Sequence, residues 1–381
     1  MRRSSESNLL STTGLRAILL TAFTGLGFLI PGAGAAEHSG KPTVLIVATG
    51  GTIAGVQDDP KDRSRYRAGS LSAEQIIESV PGLGDYAKID TLQFSNVPST
   101  QIKPADWVRL SRTITEALAS REELAGVVVT HGTDRLEETA FFLHLTVGSD
   151  KPVIVVGAQR PATNASADGP ANLLAAVKTA VAEESRDRGV LVIMDERIMS
   201  ARQVRKDYPR MGGFSDGLIG VVGNEGPAFL YTPTRPHTHR SDFAIDKDTA
   251  LPRVDLVFSY SGGTGPAYTA RNLPAGLVIT ATNMTCSENL VVRDLARRGV
   301  AVVNAFPTGE SIRRLREIED GAPERFRQSC SELAGDPRLE GPWIPPLPAQ
   351  MLTPQKARIL LMLALAAGSG REELERIFTA Y

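Results

Sequence analysis

Cysteine is nearly absent from the 381 residues, and two thiols, Cys286 and Cys330, exclude a disulfide scaffold. An excess of one charge is missing too. With 42 basic and 43 acidic side chains the formal net charge is −1, which argues against nucleic acid as a partner, because phosphate neutralisation needs clustered Lys and Arg. Basic runs such as Arg313-Arg314-Leu315-Arg316 alternate with nearby acids and read as a solvated helix face. There is no internal repeat at a fixed period and no low-complexity tract. What remains, 42% hydrophobic and 22% charged, has the composition of an ordinary soluble globular chain.

The apolar run that stands out lies at the start. Arg2 and Arg3 head a basic region, Ala17 to Ile30 are apolar, and Ala33-Gly34-Ala35 supplies the small residues of a cleavage site. Residues 1–35 thus read as a secretory leader, and the mature chain as periplasmic or secreted. An apolar run shorter than the ~20 residues of a spanning helix, with polar residues from Glu37, disfavours an uncleaved anchor and any stable membrane association. Ser4-Ser5-Glu6 after the paired arginines weakens a twin-arginine reading. Loss of Arg2, Arg3, Arg16 and Glu6 with the leader takes the net charge to about −3. In an oxidising compartment Cys286 and Cys330 can bridge, but sequence alone does not bring their Cα atoms within reach.

The length predicts two domains. Thr43 to Ala48, Gly126 to Thr130, Pro152 to Val156 and Gly189 to Met194 read as buried strands, separated by helical patterns at 104–120, 134–147 and 169–184. A further helix at 72–79 opens on the capping-box spelling Ser72-x-x-Gln75. Such alternation predicts a larger N-terminal α/β domain, 41–232, with a mainly parallel sheet covered by helices. Residues 233–252, rich in proline and mixed charge, read as a linker. Strands at Val254 to Ser259, Leu277 to Ala281 and Val300 to Ala305, with helices near 287–298, 354–367 and 371–379, predict a smaller C-terminal α/β domain over 253–381.

Ligands bind such sheets in the crevice at the carboxyl ends of the strands. The first strand runs into Thr49-Gly50-Gly51-Thr52-Ile53-Ala54-Gly55 and a later one into Thr130-His131-Gly132-Thr133-Asp134. In both, glycine permits a tight turn with amide groups facing a ligand, next to a hydroxyl that can attack. Either loop alone has a plainer reading: a tight or phosphate-binding turn for the first, a helix cap for Thr133-Asp134. The spacing matches neither dinucleotide nor P-loop fingerprints. Gly213-Phe214-Ser215-Asp216-Gly217 spells a nucleophile elbow, but Lys206 to Met211 before it is charged and proline-broken, not a strand. His237 and His239 lack the carboxylate or cysteine company of a metal site.

TGGTIAG at 49–55, HGTDRLEETAFFL at 131–143, KPVIVVGAQRP at 151–161, SADGPANL at 166–173 and TPQKARILLMLAL at 353–365 together closely resemble the bacterial L-asparaginase/glutaminase family, in order and over roughly 42–381. The leader makes the likeness closer to the exported, type II branch. The resemblance implies a threonine amidohydrolase that hydrolyses the side-chain amide of L-asparagine, with lower activity on L-glutamine. It implies a two-domain α/β fold, a homotetramer of intimate dimers, and no metal or organic cofactor. By position it makes Thr52 the nucleophile, with Tyr66 on a mobile loop, 57–70, closing over it. Thr133, Asp134 and Lys206 match the second catalytic group. Ser99 and Asp134 match the groups that hold the amino-acid end of the substrate, and Ala158 the residue whose carbonyl faces the scissile amide.

These residue types suit the chemistry. A threonine hydroxyl is a poor nucleophile near neutral pH, so an acceptor must take its proton. Lys206 can serve either neutral, through a depressed pKa, or charged, by polarising Thr133; by itself it would read as a solvated surface lysine. Amides of the glycine loops would stabilise the oxyanion, and the carboxylate of Asp134 suits a free amino acid's ammonium.

Several positions depart from the family pattern. Thr100 replaces the usual glutamine beside Ser99, Gly262 in Tyr260-Ser261-Gly262-Gly263-Thr264 replaces an asparagine, and Asn283 to Asn289 replace a GNGN loop. An acid lent by a partner subunit falls near Arg316-Glu317. A non-catalytic periplasmic amino-acid-binding protein would share export and fold, yet has no use for two threonine loops together with Lys206. A nucleotide-binding domain would need different loop spacing.

Overall fold

The structure, a computed structural model, describes residues 40–59, 65–207, 212–309, 326, 328, 330–333, 335–339 and 341–381. The leader read at 1–35 and the acid expected near Arg316-Glu317 lie outside the described residues. Residues 41–381 form one compact unit.

Its larger sheet has eight strands: β1 (Thr43–Gly50), β2 (Lys88–Val97), β3 (Leu124–Thr130), β4 (Val153–Val156), β5 (Val190–Met194), β6 (Arg197–Ser200), β7 (Leu218–Gly223) and β8 (Gly226–Phe229). They run in the order β8-β7-β6-β5-β4-β3-β1-β2, parallel from β2 to β5 and antiparallel beyond. The central strands are apolar throughout because both faces are covered. Along β1, Leu45 and Val47 join α3 (Pro104–Ser120) and α4 (Leu136–Thr146) on one face. Val44 and Ile46 join α1 (Ala73–Glu78), α2 (Leu83–Tyr86) and α5 (Gly169–Val181) on the other, as the two-residue period of a strand requires.

The smaller sheet is parallel, in the order β9 (Val254–Phe258), β10 (Gly276–Thr280), β11 (Ala301–Ala305), β12 (Leu347–Pro348). Its one face carries α6 (Cys286–Arg297). The other carries α7 (Pro354–Ala366) and α8 (Arg371–Ala380), which share a core with Trp107, Phe141 and Phe142 of α3 and α4. The two sheets are thus joined through buried apolar surface. The segment 233–252 holds a single 3-10 turn, Thr238–Arg240, and buries His237 and Phe243.

Predicted and observed element ends differ by a few residues, for local reasons. The 134–147 helix begins at Leu136 because Thr133–Arg135 forms a 3-10 turn first, and the 169–184 helix stops at Val181 before another, Glu183–Ser185. The capping box is present: Ser72 Oγ accepts from the Gln75 amide and Gln75 Oε1 from the Ser72 amide. Strand β2 escaped the pattern because, as the last strand on its side, it is half exposed and mixes polar with apolar residues.

Candidate active site

β1 ends on Gly50 (φ 104°) and Gly51 (φ 80°), backbone conformations that a side chain strains. A Cβ on Gly51 would stand 2.3 Å from the Cα of Gly132, and one on Gly132 would stand 2.9 Å from Ser99 Oγ. The two glycine loops therefore touch backbone to backbone, which only glycine permits. Thr49 Oγ1 donates to the Thr130 carbonyl at 2.8 Å and ties the two strand ends together.

Beyond that contact each loop presents a hydroxyl. Thr52, buried in the 3-10 turn Thr52–Ala54, lies 2.8 Å from the phenol oxygen of Tyr66. Tyr66 and Arg67 pair antiparallel with Val56 and Gln57, and the ring sits over Gly55, where a Cβ would come within 2.8 Å of it. Tyr66 thus covers Thr52, and residues 60–64 of the loop 57–70 lie outside the described residues.

On the second loop, Thr133 Oγ1 accepts a 2.7 Å hydrogen bond from Lys206 Nζ, which also donates to Asp134 Oδ1 at 2.6 Å. The lysine side chain is only 10% exposed, whereas Asp134 is 57% exposed, so the solvated-surface reading of Lys206 does not hold. Arg205 and Lys206 form a short antiparallel pair with Phe214 and Ser215. The adjoining His131 imidazole is wholly buried, and burial pulls it down to about 4 against the raising effect of the Gly132 carbonyl. It is neutral and no proton donor near pH 7.

Ser99 is buried beneath Gly132, and its Oγ accepts from the Arg135 amide at 3.3 Å; Thr100 beside it is exposed. Ala158 is fully buried just past β4. Its loop depends on Asp168, which sequence reasoning missed: the carboxylate accepts from the amides of Gln159 and Arg160, both at 2.9 Å, while Asn172 Nδ2 donates to the Gly157 carbonyl at 3.0 Å. An acid directly before the Gly169-Pro170 helix start was the available signal.

Apart from Thr100, the departures from the family pattern fall elsewhere. Gly262 is exposed with φ 76° and open space around it. Glu288 is buried and committed: it accepts from Ser259 Oγ at 2.6 Å and from the Thr285 amide at 2.8 Å in the capping box that starts α6. Cys286 and Cys330 are bridged, with Cα atoms 5.6 Å apart. Ser215 stands on a short strand with no helix after it. His237 Nε2 lies 2.6 Å from the Arg240 guanidinium, a poor setting for a cation. Among the described residues the one cluster with metal-ligand spacing is Cys286, Cys330 and Glu332, whose sulfurs are spent on the disulfide.

Residues 43–223 match the family model described as asparaginase, N-terminal. The chain is 35% identical to L-asparaginase 2 of Bacillus subtilis over 92% of its length and 90% of the relative's. It is 34% identical to L-asparaginase 2 of Escherichia coli over 94% of its length and 98% of the relative's. Among solved structures, a probable cytoplasmic L-asparaginase from Campylobacter jejuni superposes with a TM-score of 0.78 at 35% identity, over 90% of this chain and 100% of that one.

Proposed function

The chain belongs to the asparaginase family, and from that premise we propose that it hydrolyses the side-chain amide of L-asparagine to L-aspartate and ammonia with Thr52 as nucleophile. The observation that carries the reading is the pairing of two hydroxyls on touching glycine loops, each with its own polar partner: Thr52 with Tyr66, Thr133 with Lys206. In this mechanism Thr52 Oγ1 attacks the amide carbon as its proton is relayed through the Tyr66 hydroxyl, which takes up that proton and gives its own on towards the amide nitrogen. The oxyanion is met by amides of the glycine loops, a contribution often worth ~3 kcal/mol per donor. Collapse breaks the C–N bond and the nitrogen leaves as ammonia carrying the proton that Thr52 gave up, held by the Thr133 hydroxyl, whose oxygen Lys206 polarises. Water then cleaves the Thr52 ester, its hydroxyl going to the acyl carbon and its proton to Thr52 Oγ1.

Thr52→Ala and Thr133→Ala are expected to lose ~10³-fold or more in kcat while keeping the wild-type melting temperature. Ammonia release from asparagine reads this directly, and wild-type turnover by Thr52→Ala would end the reading. The same assay with glutamine should give lower turnover. A binding protein would release no ammonia at all.

Export as a periplasmic or secreted homotetramer is part of the same proposal. The Cys286–Cys330 bridge supports it, since such bonds persist in oxidising compartments. N-terminal sequencing of the mature protein should start just after Ala35, and its native mass should be four times that of the chain.

A further inference from the structure

Lys356, in the first turn of α7, has no exposed surface. Its Nζ donates to the carbonyl of Arg202 at 3.0 Å and to that of Val204. Both carbonyls belong to the short segment that delivers Lys206 to the cleft. The charge nearest to it in effect is the Glu137 carboxylate, in the first turn of α4, three residues after Asp134. A buried ammonium is expensive, and an apolar side chain of similar size would fill the space without that cost. Burial pushes Lys356 down to about 7 and the Glu137 carboxyl up, each opposed by the charge of the other. The ammonium serves one stretch of backbone, residues 202–204, two residues short of Lys206.

We propose that Lys356 is a positioning residue for Lys206, fixing the backbone that leads to it so that Nζ reaches Thr133 Oγ1 and Asp134. The proposal rests on the catalytic reading of Lys206 and Thr133 given above. It has the second sheet's helix set the geometry of a side chain in the first sheet's cleft, through contacts that never touch substrate.

The test is a double-mutant cycle in steady-state ammonia release, with melting curves to establish that each protein is folded. Lys206→Met is measured first: wild-type kcat there would remove the catalytic reading itself, whatever Lys356 does. Given a loss, Lys356→Met is expected to lower kcat about 10- to 100-fold, the scale of an ångström's misplacement, with KM changed less than about twofold. In the Lys206→Met background the same change should have little further effect, since the residue acts through Lys206. Equal losses in both backgrounds, or a loss confined to KM, would assign Lys356 to stability alone and overturn the proposal. If Lys356→Met does not fold, Lys356→Gln, which keeps an N–H donor for the two carbonyls, is carried through the same cycle, and equal losses in both Lys206 backgrounds would overturn the proposal as well.

Discussion

Gly51 shows how a single missing side chain can hold a site together. Any Cβ there meets the Gly132 backbone at 2.3 to 2.4 Å, and the φ of 80° is itself costly for an L-residue. Gly51→Ala is therefore expected to lower stability by at least about 2 kcal/mol and turnover by ~100-fold, because Thr52 moves with the turn. Gly84→Ala, where nothing lies within 4 Å, is the control, and its melting temperature should be unchanged or higher. A fully active Gly51→Ala protein would show that the two loops need not touch. At this scale Thr52 and Thr133 were legible in the sequence, since hydroxyls beside paired glycines at strand ends are unusual. Tyr66 and Lys206 were not, except through the family likeness: each sits in a charged run that looks like solvated loop. Glu137 and Lys356 gave no signal, because an ionisable residue in a helix's first turn looks like an ordinary cap.

Among the elements, α6 concentrates what is particular to this chain. Its first turn joins the Thr285–Glu288 capping box to the Cys286–Cys330 bridge across a sequence separation of 44 residues. Chain entropy for a loop of that length gives up to about 4 kcal/mol of stability. Cys286→Ser should accordingly melt lower by several degrees, by the amount seen when the wild type is reduced, and addition of reductant should leave the variant unmoved. A reductant-insensitive wild type would contradict the bridge. The capping box also removes Glu288 as a stand-in for the missing asparagine, since its carboxylate is held by Ser259 and Thr285. On the proposed reading, Thr100 exposed and Gly262 in open space predict the loss of about one charge-assisted hydrogen bond to the amino-acid end of the substrate, ~1.5–3 kcal/mol. Kinetics with both amides should give a raised KM for asparagine at largely retained kcat; a low-micromolar KM, or a preference for glutamine, would refute this. Element positions themselves were largely readable, since buried parallel strands are continuous apolar runs and helices such as 104–120 carry strong periodicity. The exposed β2 and the antiparallel β8 were not, having neither.

At the scale of the molecule, three histidines are buried among the described residues, and this sets its response to acid. His131 and His237 are pulled down to about 4 and His144 lies well below its usual range, burial being the main cause in each. Neighbouring charges add to it for two of them, chiefly His144 from His237 and His237 from Arg240. The unfolded chain takes up these protons below about pH 6.5 and the folded chain does not. Their stabilisation is therefore complete above pH 6.5 and is lost as pH falls towards 4, at about 1.4 kcal/mol for each unit of depression. Glu138, raised by burial, works in the opposite sense, its contribution fading as pH rises through its elevated pKa. Thermal melting between pH 8 and 4 should show the steepest fall below 6.5; a melting temperature flat across that range would be incompatible with neutral buried imidazoles.

The core shared by Trp107, Phe141 and Phe142 with α7 and α8 has a consequence for how the chain is made. When synthesis has passed the last strand of the larger sheet, the apolar side of α3 and α4 has no cover, and its cover lies more than a hundred residues downstream. At ~5–20 residues per second the ribosome leaves that surface bare for on the order of ten seconds. A nascent chain in that interval is a client for holdases and a ready substrate for a secretion channel that accepts only unfolded polypeptide. On the export proposed above, the delay that would endanger a protein folding where it is made would keep this one threadable.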